Sequence, residues 1–294
     1  MQEDIIQLAQ NLCPQDASDG VTPLDLGEAV ILRRSAPSAI EGTLYRPLLC
    51  MILQGAKEVT AGKLSIHCPA GHAIVVSHDL PVLSQITQAA PDRPYMALVL
   101  PLDLAMLRGF YAQMPPFDDP QDGPAALTCH PADADLTDAV TRLLRLAKGD
   151  PSSGLLTPIL LREIHARLLL STQGTVLRRF LRRDDPSNHL AKAIATIRAS
   201  IDAPLSVTAL AEHAGMSKSS FHAHFKAVTG QTPGQYQKNV RLLEARRLIL
   251  ESNAAISAVA FDVGYESPAQ FSRDYLRKFG HPPRQDRQRE RHAG

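Results

Sequence analysis

The sequence predicts an α+β protein of more than one domain, and three observations support this. The chain has 294 residues, which is enough for two ordinary domains with their own cores. Between about residues 20 and 100, short apolar runs are broken by Gly, Pro and Asp, as is typical of the strands of a sandwich or small barrel. Residues 187–290 have helical spacing, with Gly and Pro between the segments. We therefore expect a β-rich domain followed by an all-α domain.

The β-rich part follows a short helix predicted for residues 1–12, where apolar residues recur at helical spacing. Strand alternation is clearest in KLSIHC, where Leu64, Ile66 and Cys68 alternate with polar residues. A continuous run such as LLCMILQ is expected to form a buried strand. This pattern indicates a β-rich domain without specifying its topology.

The spacing of apolar residues becomes typical of helices from about residue 101. Leu136, Val140 and Leu144 are four residues apart and follow acidic residues, which suit a helix N-terminus. The charged segment RRFLRRDDPSNH (178–189) is a short linker, so coupled domains are expected. We predict three regions, namely 1–125, 126–183 and 184–294. In the last region we predict helices at about 188–201, 206–213, 217–229, 232–252, 256–263, 267–279 and 282–288.

Charge is divided unevenly along the chain, although the net charge is only +1. Residues 1–177 contain 12 basic and 19 acidic residues, whereas residues 178–294 contain 19 basic and 11 acidic ones. The second part is thus suited to a nucleic-acid partner. No apolar run is long enough to span a membrane, and the acidic N-terminus does not resemble a secretory signal, so a cytoplasmic location is expected.

Two segments of the helical part resemble each other at an offset of about 50 residues: LAEHAGMSKSSFHAHFKAVTG and VAFDVGYESPAQFSRDYLRKFG. Each has a small residue for close helix approach, then a Gly for a sharp turn, a Ser for helix capping and an aromatic pair four residues apart. One such pattern is weak evidence for a helix-turn-helix, but two in tandem are much stronger. The corresponding positions are Ala211 and Ala260, Gly215 and Gly264, Ser217 and Ser267, Phe221 and Phe271, and Phe225 and Tyr275.

These segments, with TGQTPGQYQKNVRLLEARRLIL between them, resemble the DNA-binding domain of AraC/XylS transcription regulators over roughly 100 residues. The resemblance implies two helix-turn-helix units joined by a long helix at about 232–252, with both recognition helices in successive major grooves about 34 Å apart. Position 223 often carries Arg in the family but is Ala here, which predicts a weaker contribution from the first unit. The expected base-reading residues are Ser219, His222, Ala223, Ala269, Gln270 and Arg273, and the expected phosphate contacts are Lys218, Lys226 and Lys278.

The first part resembles the N-terminal domain of one AraC subgroup over about residues 20–125, most clearly at LLCMILQGAKEV, Gly71-His72 and SHDLPV. The resemblance implies a cupin-like small β-barrel with flanking helices, which binds a small effector. It also implies a homodimer formed by the helices that follow. Double-stranded DNA and the effector are the expected partners, with RNA polymerase as a third if the protein is an activator. Alternation along the strands places Ile66, Cys68, Met96 and Leu98 as candidates for the effector pocket.

Three alternatives stay open. A cupin-fold enzyme with an appended DNA-binding module would need clustered metal ligands, but no HxH pair exists and we interpret His67, His72 and His78 as turn or surface residues. We expect no metal and no cofactor. A constitutive DNA binder would lack an effector pocket. The cysteines form no CxxC pair, which fits a reducing compartment, and Cys50 or Cys68 could sense electrophiles if its thiol were exposed and its pKa lowered.

Overall fold

The computed structural model describes residues 2–14, 19–115, 125–147 and 150–293. The strands are β1 (Gly20–Pro23), β2 (Val30–Arg34), β3 (Glu41–Tyr45), β4 (Leu48–Gln54), β5 (Ala56–Ala61), β6 (Leu64–Pro69), β7 (His72–Val76), β8 (Leu80–Gln88), β9 (Tyr95–Pro101) and β10 (Leu127–Pro131). The helices are α1 (Gln2–Leu12), α2 (Leu104–Tyr111), α3 (Ala134–Leu146), α4 (Ser153–Leu170), α5 (Thr175–Leu181), α6 (Pro186–Ala199), α7 (Val207–His213), α8 (Lys218–Thr229), α9 (Pro233–Glu251), α10 (Ile256–Asp262), α11 (Pro268–Phe279) and α12 (Pro283–Ala293). A 3-10 turn at Thr172–Gly174 precedes α5.

The predicted α+β class is confirmed. The N-terminal part, called the barrel below, is made of two facing antiparallel sheets, one of six strands in the order β1-β2-β9-β4-β7-β10 and one of four in the order β3-β8-β5-β6. The C-terminal helices α6–α12 begin within two residues of their predicted positions. Strand β10 lies beyond residue 125 in the sequence. It still belongs to the six-stranded sheet, because it pairs with β7.

Alternate residues of the six-stranded sheet enter two different apolar cores, because successive side chains of a strand point to opposite faces. One core lies under the helices α1–α5 and includes Leu49, Leu98 and Leu143. The other lies between the two sheets, includes Cys50 and Val82, and continues into the C-terminal helices. A third core belongs to the C-terminal helices alone. No helix in the described ranges has the length and apolarity needed to cross a membrane.

Candidate nucleic-acid interface and interdomain cleft

The first helix-turn-helix unit, α7 and α8, has the turn that its sequence predicts. Gly215 lies between the helices with φ +65°, a conformation that favours glycine. Ser217 caps α8, and its side chain accepts a hydrogen bond from the Ser220 amide. Ala211 is buried against α8, where its small side chain permits close packing.

The second unit, α10 and α11, repeats this construction. Gly264 has φ +83°, and Ser267 caps α11 by accepting from the Gln270 amide. Pro268 occupies the first turn of α11, where its missing N–H costs nothing. Both predicted turns and both predicted caps are therefore confirmed.

The aromatic residues of the two units are core residues, as predicted. Phe221, Phe225, Phe271 and Tyr275 are all fully buried. The ring of Phe225 meets that of Tyr236 on α9 edge to face, with centroids 5.4 Å apart. Base stacking by these aromatic rings is thereby excluded in this arrangement.

Helix α9 joins the units and fixes their relative position. Its 19 residues correspond to a length of about 28 Å, and Thr232 and Gln235 form a capping box at its start. The Arg241 guanidinium on α9 donates to the carbonyls of Ile201 and Ala203 before the first unit and to the Gly264 carbonyl in the second. One side chain thus ties the entry of the first unit to the turn of the second.

Five of the six expected base-reading residues are exposed, and the sixth is half-buried. On α8, Ser219 and Ala223 are exposed, whereas His222 is half-buried. On α11, Ala269, Gln270 and Arg273 are all exposed. The structure therefore places these residues on one side of each recognition helix, where all but His222 are exposed.

The three expected phosphate contacts do not share one environment. Lys218 and Lys226 are exposed on α8. Lys278 instead donates from Nζ to Oδ1 of Asn239 at 2.9 Å, and burial lowers its pKa to about 8, with Lys238 adding repulsion. Its ammonium group lies beside α9, apart from the exposed surface of α11.

The four candidate effector-pocket residues do not line one cavity. Met96 and Leu98 belong to the core under α1–α5. Cys68 lies in the core between the sheets, and Ile66 packs against that core while partly exposed. Alternation identified inward positions, but it could not distinguish the two faces of a sheet that is covered on both sides.

The segment 77–81, part of the SHDLPV motif, docks the C-terminal helices onto the barrel. The Ser187 carbonyl at the start of α6 accepts from Nε2 of His78 at 2.8 Å. Asp79 pairs with Arg198 of α6, and its carbonyl accepts from the Tyr236 hydroxyl at 2.7 Å. This strip was singled out by resemblance, but its role in docking was not visible from sequence.

The interpretation of His78 as a turn or surface residue is wrong. His78 is 2% exposed, and the Phe180 ring packs edge to face against it. Its position in sequence is a turn, but α5 and α6 cover that turn. Burial lowers the pKa of His78 to about 4, against an opposing hydrogen bond to the Ser187 carbonyl. Because a carbonyl only accepts, Nε2 carries the proton of the neutral ring and Nδ1 accepts from the Ser77 hydroxyl.

A cleft of about 640 Å³ opens between β3 and α9. Arg46 of the barrel lies on one side, and among the described residues it has no ion pair. Arg198 is held by Asp79, and Arg246 by Asp286. The cleft is thus partly cationic and partly apolar. Its lining residues are Gly42, Thr43, Leu44, Arg46, Arg198, Ile201, Val240, Leu243, Glu244, Arg246, Arg247 and Leu250. Among the residues the structure describes, no three His, Cys, Asp or Glu side chains could hold a metal ion.

Comparison with known families agrees with this arrangement. The profile described as "AraC-type transcriptional regulator N-terminus" matches residues 26–176, about half of the chain. The chain belongs to the AraC-type transcriptional regulators. A second profile, described as a helix-turn-helix domain, matches residues 210–289, which contain both units of this AraC-type chain.

Curated relatives are transcription regulators as well. ArgR of Pseudomonas aeruginosa is 30% identical over 102 residues, which are 35% of this chain and 31% of ArgR. The activator RhaS of Escherichia fergusonii is 30% identical over 151 residues, 51% of this chain and 52% of RhaS. The chain therefore spans about a third to a half of the length of these relatives.

The fold as a whole resembles that of ToxT from Vibrio cholerae. One ToxT structure has a TM-score of 0.55 and covers 87% of this chain and 96% of ToxT, at 10% sequence identity. A ToxT structure with a bound unsaturated fatty acid has a TM-score of 0.54 and covers 86% and 93%, again at 10% identity. These likenesses show a similar fold over most of both chains.

Proposed function

We propose that this chain is a transcription regulator that binds double-stranded DNA at specific sequences through α8 and α11. The observation that carries the proposal is the repeated unit: two capped helices, each anchored by a buried aromatic pair and each exposing polar side chains. Family membership supports the same function. We propose no catalytic role for the barrel, since the relatives named above are regulators.

The two recognition helices would contribute unequally to specificity. Arg273 can donate two hydrogen bonds to a guanine, and Gln270 can pair with an adenine. On α8, Ala223 offers only a methyl group, so Ser219 and His222 would carry the polar contacts. Lys218 and Lys226 would hold phosphates, whereas Lys278 would reach one only after leaving Asn239.

Selection of bound duplexes from a random library at about 150 mM salt tests this function, since non-specific binding is weakened at that ionic strength. Two sequence blocks one helical turn apart would support base reading by both units. A single block would assign the reading to one unit and phosphate binding to the other. Absence of enrichment for both the whole chain and residues 184–294 would contradict the proposal.

We also propose that the interdomain cleft binds the effector, and that the effector is an anion with an apolar body. Arg46 has no ion-pair partner among the described residues, and Leu44, Leu243 and Leu250 provide apolar walls. A ligand in this cleft would contact both domains and would therefore bias their relative arrangement. The fatty acid bound to ToxT, a protein of similar fold, is a molecule of this chemical kind.

The effector proposal predicts that Arg46→Gln weakens binding of a long-chain unsaturated fatty acid by about tenfold or more, because a hydrogen bond to a charged group is lost. Titration calorimetry with the acid and with the corresponding alcohol measures this. The wild type should prefer the acid, and the variant should lose that preference. Arg93→Gln, at an exposed barrel position, is the matched control. Equal affinity of the wild type for acid and alcohol would contradict an anion site.

We propose a homodimer formed through the helices that follow the barrel. The start of α4 exposes Leu155, Leu156 and Ile159, a patch that a second copy could cover. Dimerisation would increase DNA affinity by raising the effective concentration of the second domain. Light scattering of the purified chain and of Leu155→Glu reports the mass directly. RNA polymerase would be a partner if the regulator activates transcription.

A further inference from the structure

Four residues of the barrel interior meet between the two sheets, although they are distant in sequence. Lys57 and Cys68 are register partners on β5 and β6 of the four-stranded sheet. On the six-stranded sheet, Ile74 is the register partner of Cys50 on β4 and of Cys129 on β10. Register partners place their side chains on the same face. The two sheets therefore bring three thiols and one ammonium group to one place, which we call the thiol cluster.

The contacts within the thiol cluster link the sheets. Nζ of Lys57 lies 3.3 Å from Sγ of Cys50 and 3.2 Å from the Tyr45 hydroxyl. Strand β10 contacts β6, and Cys129 packs against the core that contains Cys68, whose thiol donates to the Ile66 carbonyl at 3.7 Å. Lys57 is buried, and no carboxylate pairs with it among the described residues. Since an isolated buried charge is costly, the Cys50 thiol and the Tyr45 hydroxyl are the groups in contact that can balance it.

The Cys68 and Cys129 thiols differ in character. Cys68 is fully buried, and its interaction with the Cys129 thiol together with burial raises its pKa. Cys129 is only half-buried on β10, an edge strand. Its interaction with the Cys68 thiol lowers its pKa against the opposing effect of burial, with a further contribution from the Lys57 charge. A thiolate is the reactive form of cysteine. Cys129 is thus the accessible nucleophile and Cys68 the neighbour that can resolve its oxidised form.

We infer that Cys129 and Cys68 form a dithiol that hydrogen peroxide converts to an inter-sheet disulfide. The Cys129 thiolate attacks one peroxide oxygen, an S–O bond forms as the O–O bond breaks, and the leaving hydroxide takes up the proton that Cys129 released on ionising to become water. The Cys68 sulfur then attacks the sulfenic sulfur, the S–S bond forms as the S–O bond breaks, and a second water leaves. Two thiols are oxidised and one hydrogen peroxide molecule is reduced. Lys57 acts as a positioning residue that stabilises the thiolate.

The disulfide would act on the first recognition helix, and this part rests on the proposed function. Strand β10 begins one residue after Ala126, whose amide donates to the Val228 carbonyl of α8 at 2.8 Å. The Ala126 carbonyl in turn accepts from the Ser77 amide beside His78. A covalent bond at Cys129 pulls β10 toward the four-stranded sheet, so the Ala126–Val228 contact must shift.

The covalent step is tested by treating the whole reduced chain with hydrogen peroxide and measuring its intact mass. We expect a loss of about 2 Da and a tryptic cross-link that joins the peptides carrying Cys68 and Cys129. Cys129→Ser and Cys68→Ala should each abolish the cross-link, and Lys57→Met should slow its formation. Cys13→Ser, outside the thiol cluster, is the matched control and should cross-link at the wild-type rate. A different cysteine pair, or oxygen addition without a cross-link, would overturn the inference.

The regulatory step is tested separately by fluorescence anisotropy on the selected DNA. We expect the oxidised wild type and Cys13→Ser to change affinity by at least about fivefold, a coupling of about 1 kcal/mol, and Cys129→Ser not to respond. A cross-link without a change in affinity would overturn the coupling to α8 and leave the dithiol in place. Failure of the reduced protein to bind any selected DNA would count against the proposed function, whereas the mass measurement would still decide the dithiol.

Discussion

The two helix-turn-helix units have the same construction but different attachments. The aromatic anchors of the first unit, Phe221 and Phe225, belong to the core that also fills the barrel. Those of the second unit, Phe271 and Tyr275, belong to a separate core with α9. The aromatic anchors of the first unit therefore share a core with the barrel, whereas those of the second unit pack in a core of their own. We expect a change in the barrel to reach the first unit through this shared core.

Backbone contacts reinforce this difference. The first unit is hydrogen-bonded to the barrel at Val228 and at Gln231, whose side chain donates to the Pro81 carbonyl. A β-carbon added at Gly62 would lie 2.1 Å from the Gly230 carbonyl oxygen, so only glycine permits these two backbone segments to approach so closely. In the second unit, the Phe279 ring lies beside Gly42 of β3. Among the described residues, the hydrogen bonds that join a helix-turn-helix unit to the barrel are thus made by the first unit.

Truncating one anchor in each unit is the strongest test of the comparison. Phe225→Ala and Phe271→Ala should each reduce the free energy of unfolding by about 3–5 kcal/mol, because a fully buried ring is replaced by a cavity. Hydrogen exchange measured by mass spectrometry should show loss of protection in β8 for Phe225→Ala only. Unchanged protection of β8 in that variant would show that the first unit does not share its stability with the barrel.

Burial of His78 in the segment 77–81 predicts that the stability of the fold depends on pH. Its pKa is about 4 in the folded protein and about 6.5 when unfolded, so the unfolded chain binds more protons between these values. The contribution of His78 to the free energy of unfolding is fully present above about pH 6.5. It is lost as pH falls toward 4, by about 3 kcal/mol in all.

Urea unfolding of wild type and His78→Gln at pH 7.5 and 4.5 measures this dependence. The difference between the two proteins should shrink or reverse at the lower pH, because the glutamine does not titrate. His67→Gln is the control, since His67 is exposed. Parallel pH curves for wild type and His78→Gln would contradict burial of a neutral His78.

His78 also illustrates what the sequence could predict. Local signals identified Gly215, Gly264, Ser217 and the aromatic anchors, because turn geometry, capping and helical spacing depend on neighbouring residues. The docking of residues 77–81 depends on α6, more than 100 residues away, and no local pattern encodes it.

The candidate functional sites likewise include parts that the sequence could predict and parts that it could not. The exposed faces of α8 and α11 followed from the family motif and helical spacing. The interdomain cleft did not, because Arg46 and Arg246 come together only when the domains dock. Ile66, Cys68, Met96 and Leu98 were chosen by alternation, which finds buried positions but not the layer in which each is buried.

Base reading should differ between the units if the second is the stronger reader. Arg273→Ala should weaken binding to the selected site by about 1–3 kcal/mol, or about five- to 150-fold, and relax the preference at one base. His222→Ala in the first unit should have a smaller effect, because its half-buried ring has less access to a groove. Fluorescence anisotropy against the selected site and a scrambled duplex distinguishes these effects. Equal weakening on both duplexes would reassign Arg273 to the phosphate backbone.

Loss of a phosphate contact should have the smallest and least selective effect on DNA binding. The two units should differ here too, because each carries one lysine in a different environment. Lys226→Ala on α8 should weaken binding to all sequences and reduce the slope of log affinity against log salt by about one. Lys278→Ala on α11 should leave that slope unchanged, because Asn239 holds its ammonium group beside α9. A reduced slope for both variants would mean that Lys278 leaves Asn239 when DNA binds. The second unit would then shift against α9 on binding DNA, instead of acting as a rigid reader.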